Sequence, residues 1–284
     1  MAGISNILVL GAGELGTQVL SSLAKHPQSD NITITVLLRP SSISSKVQDW
    51  AQPTSLLHDQ NISTVPGDLT NDSQESLSQI FRQYDTIISC TGFAAGRGTQ
   101  RKLAHAVLAA KVPRYIPWQF GVDYDIIGRG SAQDLLTNSW IFLFEPWFGV
   151  VDLKNNAVCA LGSWDTAVTV TAPEDIGEIT AEILLGDKGE TAFTNNAIFI
   201  AGDTLSYANL ALLLEKATGK PVQRTLRTVQ SAQTDLAKEP TNEIYKYQIV
   251  FGEGRGVSWD LSKTWNHENG ILGLTVKEYM ARYL

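Results

Sequence analysis

The run "NILVLGAGELG", Asn6 to Gly16, decides the fold. Ile7 to Leu10 is aliphatic, too short for a helix and stopped by a glycine, which reads as a strand buried on both faces. Leu15 to Lys25 follows with helical spacing of its apolar residues and ends at His26-Pro27. Between strand and helix, Gly11, Gly13 and Gly16 spell G-x-G-x-x-G. Each glycine has a task in that setting: the first permits a tight turn, the second lets the backbone approach a pyrophosphate, and the third allows the helix to pack on the strand. N–H groups at the helix start then bind the anion. Gly11, Gly13, Glu14, Leu15 and Gly16 are therefore the candidate dinucleotide contacts, and a merely structural turn is the less favoured reading.

Working outward, a second strand is expected at 32–38, and strand-like runs recur at 62–65, 86–91 and 114–118, alternating with helical patterns at 73–83 and 99–111. That alternation predicts an α/β fold, a doubly wound parallel Rossmann sheet with right-handed crossovers. Beyond Gly149 the texture changes. Two alternating runs around Asn155-Asn156 and Gly162 suggest a hairpin. Thr171 and Pro173 open a helix. A strand is expected at 197–201 and a helix at 203–218 closed by Gly219. The expected organisation is a nucleotide-binding domain over 1–149 and a smaller α+β substrate-facing region over 150–284, partly interleaved with the first.

Bulk properties narrow the class. The 284 residues carry 22 basic and 29 acidic side chains, a net charge of −7, and no basic stripe able to neutralise a row of phosphates. Nucleic acid is excluded as a ligand. Cys90 and Cys159 lack CxxC spacing, and His26, His58, His105 and His267 are scattered, so neither a disulfide framework nor a metal site is expected. The first residues show no basic leader, and their apolar run is too short for a signal peptide or a membrane span. A cytoplasmic protein with no membrane association is expected, with Asn31, Asn61 and Asn71 unmodified despite their N-x-S/T context. There is no G-x-S-x-G elbow and no P-loop.

The end of the second strand selects the cofactor. An acidic residue there would bind the ribose hydroxyls of NAD, but the chain reads "LLRPSS". Arg39, with Ser41 and Ser42, offers a cation and hydroxyl donors to a 2′-phosphate, and Lys46 a second cation. NADP(H) is favoured over NAD, against the plainer reading that Arg39 and Lys46 are solvated. Asp68, followed by Leu69, stands after the third strand as an acceptor for the adenine amino group or as a helix N-cap. Thr91, Gly92 and Phe93 end the fourth strand where backbone runs beside the cofactor, and Phe93 either covers it or packs in the core.

Together "VLGAGELG", "LLRPSS", "GDLTND", "IISCTGF", "RYIPWQFGVDYD" and "EDIGEITAEIL" resemble the isoflavone reductase and NmrA-like branch of the atypical short-chain dehydrogenases, in particular its fungal members. The likeness runs from Ile7 to about Gly219. It implies a Rossmann domain binding NADPH through Gly11, Gly13, Gly16 and Arg39, with the loop Trp118–Gly121, and so Gln119 and Phe120, beside the nicotinamide. It further implies hydride delivery to small aromatic compounds of secondary metabolism.

Two departures stand against full catalytic competence. Members of the family use a lysine after the "FG" loop, and ordinary short-chain dehydrogenases use Tyr-x-x-x-Lys. Here no lysine lies between Gly121 and Phe148, and no tyrosine has a lysine four residues on. The stretch from Gly121 to Trp140 is also too short for the helix, strand and substrate loop the family places there, since "SAQDLLTNS" supplies one or two turns. Three explanations stay open: an incomplete gene reading, a natural deletion in a non-catalytic protein, or an acid supplied from elsewhere. Asp123, Tyr124 and Asp125 are the titratable residues nearby. Tyr124 could donate a proton or could simply line the rim. No catalytic residue is assigned. Two functions follow: an NADPH-dependent reductase of small aromatic or secondary-metabolite substrates, or a non-catalytic NADP(H)-binding redox sensor that reports to a protein partner. A sugar-nucleotide epimerase is disfavoured by the missing Tyr-x-x-x-Lys.

Overall fold

A computed structural model describes residues 3–44, 62–92, 96, 98–118, 121–127, 143–144, 148–189, 192–193 and 197–284. The chain forms two compact units, Met1–Trp118 with Ile176–Asn196, and Gln119–Asp175 with Ala197–Leu284. The first division falls after Trp118 where the sequence suggested 149, and a later segment returns to the first unit.

The first unit is built on five parallel strands in the order β3-β2-β1-β4-β5. They are β1 (Asn6–Leu10), β2 (Thr33–Leu38), β3 (Ser63–Pro66), β4 (Thr86–Ser89) and β5 (Arg114–Ile116). The register places Leu10 opposite Leu37 on one side and Ser89 on the other. Ile7, Leu8, Val9 and Leu10 are all fully buried, as expected for a strand covered on both faces. Leu8, Leu10, Leu37 and Ile87 turn toward α3 (Gln74–Phe81) and α4 (Thr99–Ala110), packing on Leu77, Phe81, Leu103, Ala106 and Val107. Alternation along each strand sends Ile7 and Val9 to the opposite face.

Helix α1 (Glu14–Lys25) buries Leu15, Val19, Leu20 and Leu23. It ends at His26, whose N–H bonds back to Leu23, and Pro27 prevents extension. A short α2 (Pro40–Ser44) follows β2. Ser73 caps α3, its hydroxyl accepting from Ser76 N at 3.1 Å. The strand, helix and crossover pattern read from the sequence is the doubly wound Rossmann arrangement observed.

In the second unit, a one-turn α5 (Tyr124–Ile127) is followed by β6 (Val151–Asp152) and β7 (Ala157–Leu161), an antiparallel hairpin over Asn155-Asn156. β10 (Gln223–Arg227) joins β7 in parallel. The expected partner beyond Gly162, β8 (Ala167–Val170), pairs instead with β9 (Asp203–Ser206). Gly162 has φ +77° because it turns the chain against the backbone of Gly252, leaving no room for a side chain. Helix α6 (Pro173–Leu185) continues from this unit into the first. Then come α7 (Tyr207–Thr218), α8 (Val229–Lys238), α9 (Glu243–Glu253), α10 (Trp265–Glu268) and α11 (Val276–Tyr283). Phe148 is buried edge-on against Phe251 and Tyr247, with ring centroids 5.6 and 6.2 Å apart.

Two expectations fail here. Residues 197–201 are not a strand. Both polar groups of Ala201 are taken by one side chain, Asn266, whose Oδ1 accepts from Ala201 N at 3.0 Å while its Nδ2 donates to Ala201 O at 2.9 Å. An amide group thus replaces the neighbouring strand. The helix expected at 203–218 starts only at Tyr207, because Asp203–Ser206 pairs with β8 and the Ser206 hydroxyl caps α7.

Candidate functional site

In an open parallel sheet, ligands bind where the strand order reverses, outside the carboxyl ends of the strands on either side. Here that point lies between β1 and β4. The three glycines after β1 answer different demands. Gly11 has φ +93°, and a Cβ there would stand 2.8 Å from Thr91 Oγ1, a hydroxyl already donating to Leu10 O at 2.8 Å. A Cβ at Gly16 would run into the backbone of Gly11 and stand 3.4 Å from Cys90 Cβ. Both are glycine because the fold requires it. Gly13 differs: φ is −72°, which any residue adopts, and a Cβ there meets nothing within 4 Å. Among the described residues no contact forbids a side chain at that position, and the backbone there is open. The N-cap of α1, Gly13, makes no side-chain cap bond, and the helix dipole at this end suits an anion. Glu14 is exposed, while Leu15 is 4% exposed and can offer only its backbone.

At the end of β2, Arg39 and Ser41 are exposed. The Arg39 carbonyl accepts from Ser42 N at 2.8 Å and Ile43 N at 3.2 Å, opening α2. Across from them, Asp68 is committed to its own turn, accepting from Thr70 N (2.9 Å), Asn71 N (3.0 Å) and Asn71 Nδ2 (2.9 Å). The Asn71 amide, then the two backbone N–H groups, hold the Asp68 carboxyl below the usual range, and the Arg39 guanidinium adds to that pull. The N-cap of α3 is Ser73, so Asp68 caps a turn and not the helix. Leu69 is buried in the core. Gly92 lies under the Trp118 indole, where a Cβ would be 3.0 Å from the ring. Lys46, Phe93, Gln119 and Phe120 lie outside the described residues.

Two residues that the sequence did not flag reach this region from α4. Gln100 Nε2 donates to Thr91 O at 2.6 Å, and Lys102 Nζ donates to Thr70 O and Asp72 O at 2.9 and 2.8 Å. Their partners are backbone carbonyls, which carry no residue-type signal.

In the second unit, Asp123 Oδ1 accepts from Asp125 N at 2.9 Å and Ile126 N at 3.3 Å, so it caps α5. Its own N–H reaches Gly256 O at 2.7 Å. Tyr124 is half-buried and Asp125 exposed. Cys90 is buried, which pushes its thiol far above the ordinary range and makes it unreactive. Both cysteines are free. His26 Nδ1 accepts from Gln28 N at 3.1 Å and its Nε2 lies 3.5 Å from Glu182. Among the described residues there is no cluster of His, Cys, Asp and Glu fit for a metal, and no helix long and apolar enough to cross a membrane.

Comparison with known proteins agrees with this geometry. Residues 4–134 match the model of the NmrA-like family. An NmrA-like family domain-containing oxidoreductase of Gibberella moniliformis is 42% identical over 299 aligned positions, covering 97% of each chain. Eugenol synthase 1 of Petunia hybrida is 23% identical, covering 84% of this chain and 83% of its own. The leucoanthocyanidin reductase of Vitis vinifera, solved as a binary complex with NADPH, superposes with a TM-score of 0.75 at 18% identity, over 98% of this chain and 99% of that one.

Proposed function

The chain belongs to the NmrA-like family, and from that premise we propose that it is an NADPH-dependent reductase of small aromatic or secondary-metabolite substrates. The observation that carries the cofactor is Gly13. Its backbone is ordinary and, among the described residues, nothing comes within 4 Å of a Cβ placed there, so the chain is open to the close approach of a pyrophosphate. The start of α1 and the exposed Arg39 suit the pyrophosphate and the 2′-phosphate of NADP(H).

When bound, the cofactor supplies a hydride for an electrophilic carbon of the substrate. The chain's part is to bind and orient. Gly11, Gly13 and Gly16 bring the backbone of α1 to the pyrophosphate. Arg39 and Ser41 receive the 2′-phosphate, with Lys46 as a second cation. The turn at Asp68 and Leu69 borders adenine, Thr91, Gly92 and Phe93 run beside the cofactor, and Gln119 and Phe120 belong to the loop at its reactive end. The aromatic substrate class is supported by relatives named for eugenol and leucoanthocyanidin, both small aromatic compounds. The proposal places the protein in the cytoplasm.

A second reading, a non-catalytic NADP(H) sensor acting on a protein partner, is favoured by two observations. No lysine lies between Gly121 and Phe148. The alignment with the fungal oxidoreductase, at 299 positions, is moreover longer than this chain of 284, so that relative carries segments missing here. The test is a fluorescence titration with NADPH, NADP+ and NADH, then a screen of aromatic carbonyls and alkenes for NADPH consumption. Selective NADPH binding with turnover establishes the reductase. Binding of both redox forms without turnover establishes the sensor, and binding of neither sinks both readings.

A further inference from the structure

One turn of α4 sends two side chains to opposite sides of the β1–β4 crevice. Lys102 Nζ holds Thr70 O and Asp72 O at 2.9 and 2.8 Å, across about thirty residues of chain. The turn it grips is closed on itself: Asp68 accepts from Thr70 and Asn71, and Asp72 Oδ2 accepts from Asp68 N at 2.7 Å. Two carboxylates within five residues repel one another. A cation on the carbonyls between them relieves that repulsion and fixes the turn as a unit. A lysine at a surface ordinarily spreads over many rotamers, and two short bonds to carbonyls remove that freedom.

Two residues earlier, Gln100 Nε2 holds Thr91 O at 2.6 Å. Thr91 in turn donates to Leu10 O, the last residue of β1, and its hydroxyl fills the space that a side chain at Gly11 would need. The far end of the Gln100 amide, Oε1, is buried and meets no donor among the described residues. Among the described residues, Thr91 O is the hydrogen-bond partner that orients the amide.

We propose that the first turn of α4 positions the nucleotide crevice from both sides: Lys102 fixes the turn on the adenosine side, and Gln100 fixes the strand end on the nicotinamide side. The inference rests on the reading of this crevice as an NADP(H) site. The two sides follow from the fold, since the ribose phosphate is recognised at the end of β2, and the other half of the dinucleotide then lies over β4. Neither residue touches the reacting atoms, so both are positioning residues.

The experiment uses the full chain and three variants, Lys102→Met, Lys102→Arg and Gln100→Leu. Each is titrated calorimetrically with NADPH and with 2′,5′-ADP, which carries only the adenosine half. Lys102→Met weakens both ligands about tenfold, the scale of a lost charge-assisted contact, and Lys102→Arg recovers most of it because a guanidinium also serves two carbonyls. Gln100→Leu weakens NADPH about tenfold and leaves 2′,5′-ADP unchanged. General loss of stability cannot produce that split. Unaltered 2′,5′-ADP binding by Lys102→Met, or equal weakening of both ligands by both variants, overturns the positioning role while the NADP(H) site stands. A wild-type chain that binds neither ligand overturns the NADP(H) reading and this inference with it.

Discussion

The backbone of Gly16 rests on the carbonyl group of Gly11. A Cβ at Gly16 would stand 3.0 Å from the Gly11 carbonyl carbon and overlap its oxygen, whereas one at Gly13 would meet nothing within 4 Å. The motif therefore divides into two glycines held by close packing and one whose surroundings, among the described residues, are open.

Gly16→Ala should accordingly lower stability by about 1–3 kcal/mol, the range for overpacking a close contact. Gly13→Ala should fold with an unchanged melting temperature and lose NADPH affinity by about tenfold or more, roughly 1.4 kcal/mol. Thermal melts paired with titrations decide it. A Gly13→Ala chain that binds NADPH like the parent would remove the main support for the cofactor site.

Arg39→Gln tests cofactor preference. Losing a charge-assisted bond to the 2′-phosphate is worth about 1.5–3 kcal/mol, so NADPH should weaken by about 10- to 100-fold while NADH is unmoved. Equal weakening of both nucleotides would mean that Arg39 does not read the phosphate.

Asn266 is fully buried and bonds Ala201 N, Ala201 O and Ile271 O. Asn266→Leu keeps the volume and orphans three backbone groups. Unfolding in urea should show a loss of about 3 kcal/mol or more. A change below about 1 kcal/mol would mean that this segment is held by something other than the amide.

Asp85 gives a pH signature. Partial burial raises its pKa, but bonds from Asn6 N, Ser5 N, Ser5 Oγ and Thr86 Oγ1 outweigh that and leave it below the ordinary value. A depressed folded pKa means stability that is present above the unfolded value, about 3.9, and lost as pH falls through the folded one. Asp85→Asn should be less stable than wild type at pH 7, and the deficit should shrink as both are acidified below about pH 4. A deficit that is constant with pH would show that the charge is not involved.

How much was legible depends on where the partners lie. The glycine loop and the five strands could be read because their signals are local: aliphatic runs of strand length and a turn of fixed spacing. Residues 197–201 misled because "AIFIA" has strand composition, yet its partner is an amide some sixty-five residues on. Asp203–Ser206 was hidden because helix and strand signals overlap at Ser206, which ends one and caps the other. Asp68 reads in sequence as an adenine acceptor or a helix N-cap, whereas its observed employment, closing a five-residue turn, depends on Asn71 and Asp72 in three dimensions. Gln100 and Lys102 look in sequence like the polar face of an ordinary helix.

Helix α6 gives the molecule a constraint on its modularity. It begins in one compact unit and ends in the other, and at Gly177 it lies on the backbone of Gln18, where a Cβ would stand 2.7 Å from the carbonyl oxygen. The nucleotide-binding half is thus not one uninterrupted stretch of gene. Cutting the coding sequence after Trp118 or after Gly149 yields a fragment without the segment that covers α1. Recombination can exchange neither half as a cassette, and domain swaps with relatives have to carry Ile176–Asn196 along with the amino-terminal strands.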